Sequence, residues 1–389
     1  MRSEDDLADP PEKTQRLETL DDVIAGAVSR RNGTRLTGLR GSARAIIAAR
    51  LARAHSGRPV LVITPDSKSA DRLLEDLRFA LGEVETGGRV RAFPRPDVHS
   101  YERFSPQPFV VAQRMDVLYR WLASATGGNG SAPIVVTPWT ALAQRVPTRD
   151  NVRGKSVHLE VGQILDRDAL VAVLISAGYQ RMPLVEERGE LAVRGHVLDL
   201  FPPQRERPIR IELIGDEVEQ LREFDPGSQR SQGNLSYAVA PPPRELLFDR
   251  SLVIERSGVI REHAAEQGVP ARAVDELLDA LLRGHLPPGV EALAPLLQPA
   301  LETVFDFLPD DTLVVVDDPD AGRERLLQHA EEMIQNFEVA LASGRVVSPP
   351  DALALVSARR PDAGADIARR AAPAVGAGTD ETRGAGVVL

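Results

Sequence analysis

The stretch from Thr37 to Leu81, "TGLRGSARAIIAARLARAHSGRPVLVITPDSKSADRLLEDLRFAL", carries the choice of fold. It presents a glycine turn, an Ala-rich helix, an unbroken apolar run and a second helix, in that order. In "ARAIIAARLARAH" the residues Ile46, Ile47, Leu51 and Ala54 fall on one helical side. "PVLVIT" has the continuous apolar character of a strand buried on both faces. Asp66 or Ser67 can then cap a helix in which Ala70, Leu73, Leu74, Leu77 and Leu81 recur with helical spacing. Alternation of this kind predicts a parallel sheet covered by helices.

The pattern continues outward. "RVRAF" (Arg89–Phe93) and "PIVVT" (Pro133–Thr137) read as further strands, with Val111, Met115, Leu118 and Leu122 marking a helix between them. Near Asn151 the character changes. "KSVHLEV" reads as a strand, Asp166 opens a short helix, and a β-rich stretch follows. In "PIRIEL" the period is two, so Ile209, Ile211 and Leu213 share one face. Past "PPPRE" (Pro241–Glu245) helices return, with Val274, Leu277, Leu278, Leu281 and Leu282 at helical spacing. "TLVVVDD" (Thr312–Asp318) is one more buried strand. It needs neighbours and is expected to rejoin the first sheet. The predicted fold is α/β: a parallel sheet with flanking helices, similar to a degenerate phosphate-loop domain, split by an inserted antiparallel α+β domain. The expected boundaries are 1–16 disordered, 17–150 first α/β part, 151–240 insert, 241–345 second α/β part and 346–389 disordered tail.

The chain of 389 residues has a formal charge of −10, which argues against broad coating of nucleic acid. It has no cysteine, so disulfides, thiolate metal sites and cysteine nucleophiles are excluded. The acidic start "MRSEDDLADPPEKTQ" lacks the apolar core of a secretory signal, and no apolar run is long enough to span a bilayer. A soluble cytoplasmic chain, without membrane contact, is expected.

A phosphate loop needs G-x-x-x-x-G-K-[ST]: backbone N–H groups around the phosphates, a Lys on the outer ones and a hydroxyl on Mg²⁺. Here Gly38 and Gly41 stand too close together, and Ala43-Arg44 replaces the Lys-Ser/Thr pair. No Lys lies between Lys13 and Lys68. Arg40 or Arg44 could substitute for the Lys, but the missing hydroxyl leaves Mg²⁺ without its ligand. Asp317 and Asp318 resemble the carboxylates that end an NTPase strand, yet the pattern is common at any strand end. A packing turn with no bound cofactor is the expected state. The seven histidines show no metal-ligand spacing, Glu186 and Glu187 have no evident catalytic partner, and no G-x-S-x-G elbow occurs.

In the insert, "AGYQRMPLVEERGELAVRGHVLDLFPPQRERPIRIELIGDEVEQLREFDPGSQRS" resembles the N-terminal module of bacterial transcription-repair coupling factors. The elements A-x-R-G, D-L-F-P, R-I-E and F-D-x-x-S-Q-R-S stand in order, and "SYERFSP" and "VVTPWTALAQRVP" upstream also fit. The resemblance covers roughly residues 17–340 and extends to domains 1a, 2 and 1b of the excision-repair protein UvrB. It implies a split domain 1 with a degenerate nucleotide site and an inserted domain 2 that docks UvrA. In the family the A-x-R-G and R-[IL]-[DE] arginines contact UvrA. Those positions are Arg194 and Arg210 here, and the strand alternation adds Glu212 and Ile214 to the same face; the family often has an aromatic at the Ile214 position. Arg suits such a face because its planar fork pairs with carboxylates. Full-length members continue into an RNA-polymerase-binding domain and a double-stranded DNA translocase, neither visible in this sequence. A non-catalytic adaptor is therefore expected, the alternative being part of a translocase or helicase with residual nucleotide or DNA binding. The cluster Arg145, Arg149, Arg153 and Lys155 lacks interleaved aromatics and reads as a solvated linker.

Overall fold

A computed structural model describes residues 19–29, 34–55, 57–83, 88–125, 132–355 and 386–389. Its strands are, in chain order, β1 (Thr34–Arg35), β2 (Val60–Thr64), β3 (Val90–Ala92), β4 (Ile134–Pro138), β5 (Arg145–Pro147), β6 (Val157–Glu160), β7 (Gln180–Arg181) and β8 (Glu190–Arg194). They continue with β9 (Val197–Leu200), β10 (Ile209–Ile214), β11 (Glu217–Phe224), β12 (Ser231–Leu235), β13 (Tyr237–Ala240), β14 (Leu301–Thr303), β15 (Leu313–Val316) and β16 (Gly386–Val388).

One sheet has the order β1–β16–β15–β2–β4–β3, and all its pairings are parallel. The apolar run at β2 is buried at all five residues because helices cover both faces. Val60 and Val62 face the helices Ala43–Ala54 and Ser67–Leu81, whereas Leu61 and Ile63 face Met115, Leu118 and Trp121. Asp66 caps the second helix by accepting a hydrogen bond from the Ser69 N–H at 2.8 Å, and Gly82 ends it with φ +77°. The first helix departs from the sequence reading. Ile46 and Ala54 point outward, and the buried side is Ala45, Ile47, Ala48, Ala49, Leu51 and Ala52. Small alanines let this helix lie close to the sheet and beside the helix Leu20–Ser29.

The second sheet, β12–β11–β10–β9–β8–β7, is the insert, antiparallel except at β7–β8. Helix Arg167–Ser176 covers one face through Leu170, Val171 and Leu174, against Leu198, Ile209, Ile211 and Leu221. Strands β6 and β13, the way in and the way out, pair with each other, so the insert is rooted at a single place. Helices Arg250–Glu266 and Ala271–Leu282 then build a separate lobe around Val253, Ile260, Val274, Leu278 and Leu281, after which β15 pairs with β2 in parallel.

The expectation of a disordered end fails at its described parts. Val347 and Ser348 are buried, and β16 enters the parallel sheet between β1 and β15. Composition hid it: an Ala/Gly/Arg-rich segment with a three-residue apolar run offers no periodicity, yet three residues suffice for a strand between two formed neighbours. Residues 356–385 and the N-terminal 1–16 lie outside the described residues.

Candidate functional site

At the glycine turn, Gly38 and Gly41 have φ of +80° and +54°, and the helix begins at Ala43. Arg44 does not turn toward an open loop. Its Nη1 donates to Asp317 Oδ2 at 2.9 Å, at the end of β15, where the carboxylate is almost fully covered. Burial pushes the Asp317 carboxyl up, Arg44 opposes this and Asp318 adds to it. Asp318 itself, at φ +44°, caps helix Pro319–Ala342 by accepting from the Ala321 N–H at 3.2 Å. Arg44 and the Asp318 carboxylate are therefore engaged with the protein's own groups, while Asp317 keeps Oδ1 buried without a partner among the described residues. With Ala43-Arg44 in place of the Lys-Ser/Thr pair, this set does not fit a Mg²⁺-nucleotide.

The insert offers a different surface. Cross-strand partners in an antiparallel sheet share a face. Arg194 lies opposite Val197, Val197 opposite Glu212, and Glu212 opposite Gln220. One row in, Asp199 lies opposite Arg210, and Arg210 opposite Arg222. Asp199 is 0% exposed and joins the two arginines named from the sequence. Arg194 Nη2 donates to its Oδ2; Arg210 donates from Nε to Oδ1 at 2.8 Å and from Nη2 to Oδ2 at 3.0 Å. Arg210 also donates to the Gln229 carbonyl at 3.2 Å, and its guanidinium lies 4.5 Å from the centre of the Phe224 ring. The hydrogen bonds it donates to Asp199 hold Arg210 protonated more firmly than a free guanidinium.

The two arginines are thus unequal. Arg194 has a side chain 45% exposed, Arg210 one 15% exposed. Val185, Ala192, Phe201 and Phe224 cover the outer face over Asp199, which explains why Arg210 is largely sheathed. Uninterrupted alternation along β10 keeps Leu213 inside and turns Ile214 out, 66% exposed, while a bulge in β11 opposite Glu212 and Leu213 takes up Glu219 and keeps both Val218 and Leu221 inside. Glu212 pairs with Arg222 at 3.5 Å. Two residues of this face were missed by sequence reasoning. Asp199 reads as one acidic residue in "VLDLF", and only the register shows that two arginines converge on it. Ile164, 70% exposed, bridges to Glu217, which in turn pairs with Ile214, so two isoleucines fifty positions apart flank one glutamate.

The basic cluster at the root of the insert is largely self-neutralised. Arg149 pairs with Glu302 at 3.1 Å, Arg153 with Asp150 at 3.5 Å and Lys155 with Asp249 at 4.0 Å.

Residues 157–245, which include the whole of this face, match the UvrB interaction domain family. Over 86% of its length the chain is 33% identical to a transcription-repair-coupling factor of Myxococcus xanthus. It is 31% identical to that of Escherichia coli over 71% of its length, and 28% identical to that of Bacillus subtilis over 80%. It spans about a quarter of the length of these curated relatives, 23–27%. With an inserted sheet that matches the UvrB interaction domain and a split parallel-sheet domain around it, the chain belongs to the UvrB-like part of the transcription-repair-coupling factor family.

Proposed function

We propose that this chain is a non-catalytic adaptor that docks the excision-repair protein UvrA through the outer face of its insert. The observation that carries this reading is the arginine pair on the buried Asp199. One carboxylate against two guanidinium groups leaves a net positive charge, held rigidly at the surface beside the exposed Ile214. A fixed cation next to a dry apolar contact is the composition of an interface centre. Arg194 is the accessible contact, Arg210 supports it from within, and Glu212 and Ile214 complete the rim. RNA polymerase and duplex DNA are partners we assign to the remaining portion of the family's longer chains.

Capture of purified UvrA on the immobilised chain tests this. Arg194→Glu and Ile214→Asp should each weaken capture about tenfold or more, equivalent to ~1.4 kcal/mol. Ile214→Asp should melt close to the parent because that side chain is 66% exposed, and Arg194→Glu should lose only about 1 kcal/mol because its guanidinium is half in solvent. Undiminished capture by Arg194→Glu with Ile214→Asp would remove the face from consideration. The competing reading, residual nucleotide chemistry, predicts saturable heat on titration with Mg·ATP; the adaptor reading predicts none.

A further inference from the structure

Where the insert is rooted, a cavity of 380 Å³ opens between three parts of the molecule. Its walls come from the Pro96–Val111 segment of the sheet domain, the Gly178–Glu190 segment of the insert and the Leu286–Gln298 segment of the helical lobe. Strand β5 (Arg145–Pro147), shortly before the chain enters the insert, and Pro243–Leu246, just after it leaves, also line it. The volume lies within the ~300–1,000 Å³ of small-ligand sites. Val98, Phe104, Val111, Pro147, Leu246 and Leu286 supply apolar wall.

Four arginines and four glutamates, Glu187, Glu190, Glu245 and Glu291, line this cavity, and two of the arginines are already answered. Arg114 holds Glu245 with two nitrogens and the Pro94 carbonyl at 2.7 Å; Arg188 donates to the Arg205 carbonyl at 3.0 Å and to Glu206 at 3.1 Å. The side chains of Arg145 and Arg244 make no hydrogen bond or ion pair among the described residues. Arg244 is the more telling. Its stem lies so close to Gly178 that a Cβ there would sit 3.0 Å from Cδ, and Gly178 also has φ +108°. Burial pulls the Arg244 guanidinium down from its ordinary range, with Glu291 the one charge opposing this. Glu291 does not form an ion pair with it; it accepts a hydrogen bond from Ser105 Oγ at 2.9 Å, and burial pushes its carboxyl up. Arg244 is half-buried and turns toward the cavity with no protein anion paired to it among the described residues, so an incoming anion gains a charge-assisted contact that no described side chain supplies.

We propose that this cavity binds an organic monoanion, a carboxylate on an apolar body, with Arg244 as its counter-ion and Arg145 as a second contact. The carboxylate can be that of a free acid or of a peptide end. Because the ligand would touch all three parts, its binding fixes the insert against the sheet domain. This does not depend on what the outer face of the insert docks.

Calorimetry on the full chain tests it with 3-phenylpropionate and N-acetyl-leucyl-phenylalanine, each against its neutral amide. One acid per chain should bind, with the amide about tenfold weaker or worse. Arg244→Met should erase the preference for the acid, whereas Arg244→Lys should keep it. Ala294→Phe fills the cavity, leaves the arginines in place and should abolish binding of both acids. Tighter binding of the peptide acid marks a chain end as the source, and tighter binding of phenylpropionate marks a free acid. The absence of saturable binding by either acid to about 10 mM, equal affinity for acid and amide, or unchanged binding by folded Arg244→Met or Ala294→Phe overturns the proposal.

Discussion

Arg194→Glu removes a guanidinium that reaches Asp199 through one nitrogen and is otherwise half in solvent, whereas Arg210→Glu would place a carboxylate against a second, fully buried one. The first should cost about 1 kcal/mol of stability and the second about 3 kcal/mol or more, read from urea unfolding. A smaller loss for Arg210→Glu than for Arg194→Glu would contradict the geometry. Asp199→Asn, which leaves the surface outline intact but frees both arginines, should weaken UvrA capture along with stability. A second residue carries a pH signature. His329, buried on helix Pro319–Ala342, has no hydrogen-bond partner on either ring nitrogen among the described residues; burial, with Arg95 and His99 nearby, pushes its pKa down to about 4. The folded state therefore disfavours the protonated ring, so stability is full above the ordinary histidine pKa and is lost as pH falls toward 4. Between pH 7 and 4.5 this amounts to about 2 kcal/mol. His329→Met should lose correspondingly less over that interval, and an identical pH slope in both proteins would exclude the assignment. At this scale the sequence was partly legible: the family resemblance named Arg194 and Arg210, but no spacing could reveal Asp199, whose role exists only once two strands pair.

Strand β16 pairs Val387 with Val315 on one side and Thr34 on the other, and Val387 is fully buried. Val387→Asp would bury a carboxylate with no partner in reach and split β1 from β15. It should destabilise the fold by about 3 kcal/mol or more, measured by chemical unfolding. An unchanged midpoint would mean that the sheet does not need its last strand. Elements were legible in proportion to their length. The Ser67–Leu81 helix repeats its apolar side over four turns, and β2 carries five apolar residues in a row, so each declares its burial without help from the rest of the chain. β16 has three residues, β1 two, and the Ile164–Ile214 neighbourhood arises from one isolated bridge. None of these leaves a period to find. The helix Ala43–Ala54 shows a further limit, since alanine serves both faces and the sheet selects the side that fits closest.

Across the molecule, the Arg44–Asp317 pair ties the helix after the glycine turn, Ala43–Ala54, to the end of β15. Mg·ATP at about 1 mM should leave the melting temperature unchanged, because a ligand that does not bind the folded state cannot stabilise it. A concentration-dependent rise would overturn the reading of this domain as scaffold. The split arrangement was readable because an unaccompanied apolar strand at 313–316 demanded a sheet elsewhere; the cavity at the root of the insert was not, since its walls come from segments scattered from Pro96 to Leu353. The late position of β16 also sets an order of events during synthesis. Residues 157–240 hold all the pairing of the inserted sheet and can close as soon as they leave the ribosome, while the flank of β15 stays bare until Val388 has been added. The surface for gripping another protein is thus finished well before the platform that carries it, and the growing chain must be shielded along that bare flank in the interval.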